Sequence, residues 1–185
     1  ISFNSIGSEF IYYAADKGFE IFLDLKLHDI PNTVKKTIQG LLLLPIKILT
    51  IHASGGKHMM IAAMEAASET DIKVFGVTAL TSLNDEDTNE IYKRNAADQV
   101  NAMLNLAESA GIDGVVCSPH ELELVSKRKS LLSMTPGIRL KNLQDDQKRV
   151  MTPKKAFDNG ATAIVIGRSI TKGNIKKNVQ KLIKS

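Results

Sequence analysis

The sequence has no tryptophan, and only three tyrosines and six phenylalanines in 185 residues, so any core it builds must be aliphatic. Its single cysteine, Cys117, excludes an internal disulfide. Cys117 lies in the apolar run Gly114-Val115-Val116-Cys117 with no histidine in an activating motif beside it, and reads as a small core residue rather than a nucleophile. No stretch approaches the ~18 apolar residues of a membrane span, and Leu41-Leu42-Leu43-Leu44 is far too short. A secretory h-region is also lacking, so a reducing, cytoplasmic setting is expected. No arrangement of His, Cys and carboxylates has metal-ligand spacing, and a metal-free site is expected. No linker rich in Pro, Gly or Ser divides the chain, which predicts one domain over residues 1–185. Neither sign of charge dominates: 24 Lys and Arg against 20 Asp and Glu leave a net charge of +4. That mild excess suits a small anionic substrate and is no nucleic-acid footprint. The clusters Lys127-Arg128-Lys129 and Lys176-Lys177 read as solvated helix faces.

What is present is an alternation. Short β-rich runs near 20–25, 46–52, 72–78, 112–117, 131–135 and 162–166 predict six strands. Helical spacing fills Ile30 to Leu44, Gly56 to Glu69, Asp85 to Ala110, Pro119 to Lys127 and Pro153 to Gly160, and Asn174 to Ile183 closes the chain. Runs such as Ile46-Lys47-Ile48-Leu49-Thr50-Ile51 and Ala163-Ile164-Val165-Ile166 suit strands covered on both faces, as in parallel sheets. The predicted class is therefore α/β. Polar residues gather where strands end: Asp24 and Lys26, His52 to Gly56, Thr78 to Ser82, Ser118, Thr135 to Arg139, and Gly167-Arg168. Both βα barrels and open parallel sheets carry their sites on that side.

The densest cluster is Asp24-Leu25-Lys26-Leu27-His28-Asp29-Ile30-Pro31-Asn32-Thr33. Residues i and i+2 of a regular strand point the same way, so Asp24 and Lys26 are expected on one face at a strand end. Pro31 then admits only the first turn of a helix, and Asn32 and Thr33 suit that entry. A carboxylate–ammonium–carboxylate group at such a junction is costly to bury without purpose. A second element is Thr135-Pro136-Gly137-Ile138-Arg139, with Gln147 in the polar stretch that follows. A third is Gly167-Arg168 after the last strand. Two arginines at neighbouring strand ends, with glycines that let backbone N–H groups approach an anion, form a candidate phosphate clamp.

The string from Asp24 to Thr33 resembles the signature of the orotidine 5′-phosphate decarboxylase family. The spacing Asp-x-Lys-x-x-Asp is shared across that superfamily; the continuation His-Asp-Ile-Pro-Asn-Thr is the narrower mark. The resemblance runs from Gly18 to about Thr171. It implies a (β/α)8 barrel, of which about six βα units are present, and decarboxylation of orotidine 5′-monophosphate to uridine 5′-monophosphate without a metal or organic cofactor. Lys26 would be the general acid, with Asp24 and Asp29 completing the charged network. Thr81 would contact the pyrimidine, while Arg139, Gln147, Gly167 and Arg168 hold the 5′-phosphate. Asp29 and Thr33 would reach into a neighbouring subunit's site, implying a homodimer with shared active sites. No catalytic role is assigned to His28, His52, His58 or His120.

Ahead of the Asp24 strand the family has two further strands, ending in a ribose-holding aspartate and a lysine beside the catalytic aspartate. The first strand-helix unit and the second strand are lacking here, and residues 1–18 resemble the helix after that second strand. A barrel open at that point would leave unpaired sheet edges and an exposed core face, a source of instability. Two alternatives remain. One is a metal-dependent sugar-phosphate decarboxylase or aldolase with the same spacing but without Ile-Pro-Asn-Thr. The other is a non-catalytic phosphate-binding fragment.

Overall fold

The computed structural model describes residues 7–80, 83–140 and 151–183. It divides into two compact units, Ile1–Val77 with Leu106–Asp113, and Thr78–Asn105 with Gly114–Ser185.

The first unit opens with α1 (Glu9–Asp16) and continues β1 (Phe22–Leu27), α2 (Pro31–Leu41), β2 (Ile48–His52), α3 (Gly56–Ala67) and β3 (Lys73–Val77). All pairing is parallel. Phe22 and Leu23 lie opposite Ile48 and Leu49, and β2 runs in unbroken register from Ile48 opposite Lys73 to His52 opposite Val77. Val34 and Ile38, one helical turn apart, are the buried positions of α2. The helix also packs on α3, whose buried residues are Met59, Met60 and four alanines. Lys35 of α2 reaches across to Glu65 of α3 at 2.6 Å. Gly76 in β3 has no room for a side chain, since a Cβ there would lie 2.7 Å from Ile112 Cδ1.

The second unit holds α4 (Asp85–Tyr92), α5 (Ala96–Ala110, its last turn in the first unit), β4 (Gly114–Val116), α6 (Leu122–Ser126), β5 (Leu132–Thr135), α7 (Pro153–Asp158), β6 (Ala163–Ile164), α8 (Arg168–Thr171) and α9 (Ile175–Ile183). Val116 pairs in parallel with Met134, and Met134 and Thr135 with Ala163 and Ile164. β6 is shorter than its apolar run, although Val165 N–H still donates to the Thr135 carbonyl at 2.8 Å. The single helical stretch expected over Asp85 to Ala110 is two helices. Lys93 adopts a left-handed φ of 57° and ends α4. Asn95 then starts α5, its side chain accepting the Asp98 N–H at 2.8 Å. This is a local N-cap that the apolar spacing hides.

Six strands thus stand among the described residues, where six apolar runs were expected. Among those residues the buried core is aliphatic apart from Phe75. Cys117 is fully buried, 3.9 Å from the Thr135 hydroxyl. Burial, and next the Glu121 carboxylate, pushes its thiol up to about 12. None of the described helices is long and apolar enough to cross a membrane.

Candidate active site

Asp24 and Lys26 meet as an ion pair in the first unit, but not through the regular strand geometry that the sequence suggested. The register with β2 moves from Leu23 opposite Leu49 to Leu27 opposite Ile51. Asp24, Leu25 and Lys26 therefore share the span of one β2 residue, Thr50. Lys26 absorbs the surplus with φ of 54°, in the left-handed region. For a residue with a Cβ this conformation costs roughly 1–2 kcal/mol. The side chains of Lys26 and Asp24 remain 37% and 40% exposed. An ion pair so open to water contributes about 0–1 kcal/mol and cannot alone hold the bulge. The remaining support comes from Thr50, which is fully buried. Its hydroxyl donates to Asp24 Oδ1 at 2.8 Å and accepts the Lys26 backbone N–H at 2.9 Å.

Two histidines stand beside this pair. The rings of His28 and His52 lie 5.2 Å apart and are tilted by 46°. Gly55 leaves room for Met59 and His28: a Cβ there would collide with the Met59 sulfur and lie 3.2 Å from His28 Cδ2. Burial lowers the His52 pKa, and the nearby His28 and Lys26 lower it further against a small opposing effect of Asp24. A neutral His52 adds no second cation next to the Lys26 ammonium.

Asp29 and Thr33 are exposed. Asp29 Oδ1 accepts the Ile30 N–H at 2.7 Å, and the Thr33 carbonyl accepts the Thr37 hydroxyl at 2.8 Å. Neither residue has a hydrogen bond or ion pair to Asp24 or Lys26. Helix α2 begins at Ile30, which has no side-chain cap, with Pro31 in its first turn. Asn32 and Thr33 thus sit inside the helix rather than capping it.

In the second unit, Gly137 takes a φ of 79° after β5. Ile138 forms a parallel bridge with Met151. The Arg139 N–H donates to the Met151 carbonyl at 3.0 Å. Arg139 is 6% exposed, and its Nη1 donates to the Ile138 carbonyl at 3.3 Å. Gly167 and Arg168 open α8 after β6. Because β5 and β6 are paired, Arg139 and Arg168 follow the C-terminal ends of adjacent strands. Thr81 and Gln147 lie outside the described residues. A cavity of about 520 Å³ in this unit, lined in part by His120, Glu123, Thr152 and Lys155, contains none of the expected site residues. Among the described residues no group of three or more His, Cys, Asp or Glu is placed to hold a metal ion.

The sequence alone did not point to Thr50, and it gave both histidines no catalytic role. A signal for Thr50 existed: a lone hydroxyl inside the apolar run Ile48-Leu49-Thr50-Ile51 must find hydrogen-bond partners once that strand is buried.

Residues 1–182 match the family model described as Orotidine 5′-phosphate decarboxylase / HUMPS family. The chain is 47% identical over 165 residues to the orotidine 5′-phosphate decarboxylase of Wolbachia sp. subsp. Brugia malayi (strain TRS), covering 88% of this chain and 73% of that protein. It is 46% identical over 173 residues to the orotidine 5′-phosphate decarboxylase of Ehrlichia chaffeensis, covering 91% of this chain and 75% of that one. Among solved structures it is similar to the crystal structure of Orotidine 5′-phosphate decarboxylase from Lactobacillus acidophilus, with a TM-score of 0.82 and 36% identity over 96% of this chain and 80% of that chain. The structural match extends the α/β assignment to the βα-barrel class, of which six parallel strands are present here.

Proposed function

The chain belongs to the orotidine 5′-phosphate decarboxylase / HUMPS family, and on that premise we propose that it converts orotidine 5′-monophosphate to uridine 5′-monophosphate and carbon dioxide. It is a carboxy-lyase of pyrimidine biosynthesis. The observation that carries the site assignment is the Asp24–Lys26 pair on the β1 bulge, inside an unbroken Asp-Leu-Lys-Leu-His-Asp-Ile-Pro-Asn-Thr string.

The difficulty of the reaction is the electron pair left on C6 when the C6–carboxylate bond breaks, since no neighbouring group delocalises it well. A preorganised cation at C6 stabilises that charge without reorganisation at the moment of reaction. Lys26 supplies the cation and then transfers a proton from its ammonium to C6, acting as general acid. Asp24 orients Lys26. Phosphate binding by Arg139, Gln147, Gly167 and Arg168 is remote from C6, whereas Thr81 contacts the pyrimidine ring itself. They contribute binding energy that orients the reacting ring. No metal or organic cofactor takes part in this scheme.

Asp29 and Thr33 complete the site of a second copy in a homodimer with shared active sites. Two observations support this assembly. Both side chains are exposed and unpaired with Asp24 or Lys26, and Ile30 between them is an apolar side chain 66% exposed. The single buried thiol of Cys117 suits a reducing, cytoplasmic setting.

The sugar-phosphate alternative is not favoured, because the similar relatives are named orotidine 5′-phosphate decarboxylases. The fall in ultraviolet absorbance of orotidine 5′-monophosphate, followed with and without a chelator, tests the reading. Chelator-resistant turnover that disappears in Lys26→Ala is the expected result. Turnover that survives Lys26→Ala removes Lys26 from its role, and turnover lost to the chelator returns the sugar-phosphate branch.

A further inference from the structure

We propose that Thr50 is a positioning residue for the decarboxylation, its hydroxyl holding the Lys26 backbone and the Asp24 carboxylate in the arrangement the reaction uses. The inference rests on the reading of Lys26 as the proton donor.

A threonine hydroxyl has one proton to donate and lone pairs to accept. Here the proton goes to Asp24 Oδ1 and a lone pair takes the Lys26 N–H, so one atom serves both members of the ion pair. The parallel ladder leaves this N–H without a main-chain carbonyl, because three β1 residues occupy the span opposite Thr50 alone. Thr50 is itself 0% exposed, so no water competes for its hydroxyl in the folded protein. Removing the hydroxyl strands a backbone N–H at a residue already in the left-handed region. The bulge then has reason to relax toward extended geometry, which redirects Lys26 Nζ. Its carboxylate partner loses its second anchor in the same step.

This dependence makes the consequence catalytic as well as structural. A displacement of about 1 Å at the reacting centre can cost on the order of 10²-fold in rate. The candidate phosphate ligands follow β5 and β6, on strands that Thr50 does not pair with. A merely structural threonine would move stability, or both kinetic constants together. A positioning threonine moves kcat and leaves KM nearly alone.

The test compares Thr50→Val, which keeps the shape and loses the hydroxyl, with Thr50→Ser, which keeps the hydroxyl. The expected result is a kcat for Thr50→Val lowered by about 10- to 100-fold with KM within about threefold, and near-parental kcat in Thr50→Ser. A kcat for Thr50→Val within about threefold of the parent, or an equal loss in Thr50→Ser, overturns the proposal. If Thr50→Val does not fold, Thr50→Cys, which keeps the volume with a much weaker hydrogen-bonding group, is read by the same criterion. Absence of turnover in the parent overturns the decarboxylase reading instead. The crystal structure of the folded variant then decides Thr50 alone: Lys26 leaving the left-handed region supports the role, and an unchanged bulge overturns it.

Discussion

His28 and His52, brought together from the ends of β1 and β2, face each other at a ring separation of 5.2 Å beside the Asp24–Lys26 pair. Burial disfavours the charged form of His52, and protonating it would place a cation beside the His28 ring and the Lys26 ammonium. Its folded pKa therefore lies below its ordinary value of 6.5. Between those two values the unfolded chain binds more protons than the folded one, so stability rises with pH across that window. Below the folded value the penalty is complete; above 6.5 it is absent. His52→Asn is expected to flatten the rise of melting temperature between roughly pH 5 and 7, the interval in which histidine titrates. Melting curves across that range check it, and an unaltered slope assigns the dependence elsewhere.

The left-handed Lys26 gives a second expectation. Lys26→Ala and Lys26→Gly both delete the ammonium, so the stability difference between them isolates the backbone. Glycine adopts positive φ at little cost, and Lys26→Gly should be the more stable of the two by about 1 kcal/mol. Urea unfolding of the two variants measures this. A more stable alanine variant would place residue 26 outside the left-handed region.

The two arginines after β5 and β6 should behave differently. Arg168→Ala changes a half-exposed residue at the start of α8. Loss of a charge-assisted phosphate contact worth roughly 1.5–3 kcal/mol should weaken uridine 5′-monophosphate binding by about 10- to 100-fold and leave uridine binding unaltered. Arg139 is 6% exposed, and its alanine variant should lose stability as well as affinity. Titrations with nucleotide and nucleoside, alongside melting temperatures, separate the two. Equal affinity of the parent for both ligands would remove the clamp.

Cys117 is 0% exposed, and its thiol is pushed up to about 12. At pH 8 it should resist a thiol-specific reagent until the protein unfolds, with complete reaction in denaturant. Rapid stoichiometric labelling of the native protein would contradict that burial.

The alternating plan was legible because it is written in local pattern. Apolar runs predicted at 46–52, 72–78 and 131–135 appear as Ile48–His52, Lys73–Val77 and Leu132–Thr135. Parallel pairing followed from the same runs, which carry few solvent-facing positions. The split between α4 and α5 was less legible, since Lys93 and Asn95 interrupt helical φ and ψ without interrupting the apolar spacing.

By itself, the sequence determined the succession of strands and helices, the aliphatic core, and the charged string from Asp24 to Thr33. These depend on neighbours along the chain. Only the tertiary structure decided that β1 bulges, that Lys26 is left-handed, that Thr50 serves both Asp24 and Lys26, and that His28 meets His52. Each of these depends on the register between two strands more than twenty residues apart in sequence, as in the Thr50 to Asp24 bond across 26 residues. Register is an outcome of packing both strands into one core, and no local spacing rule contains it.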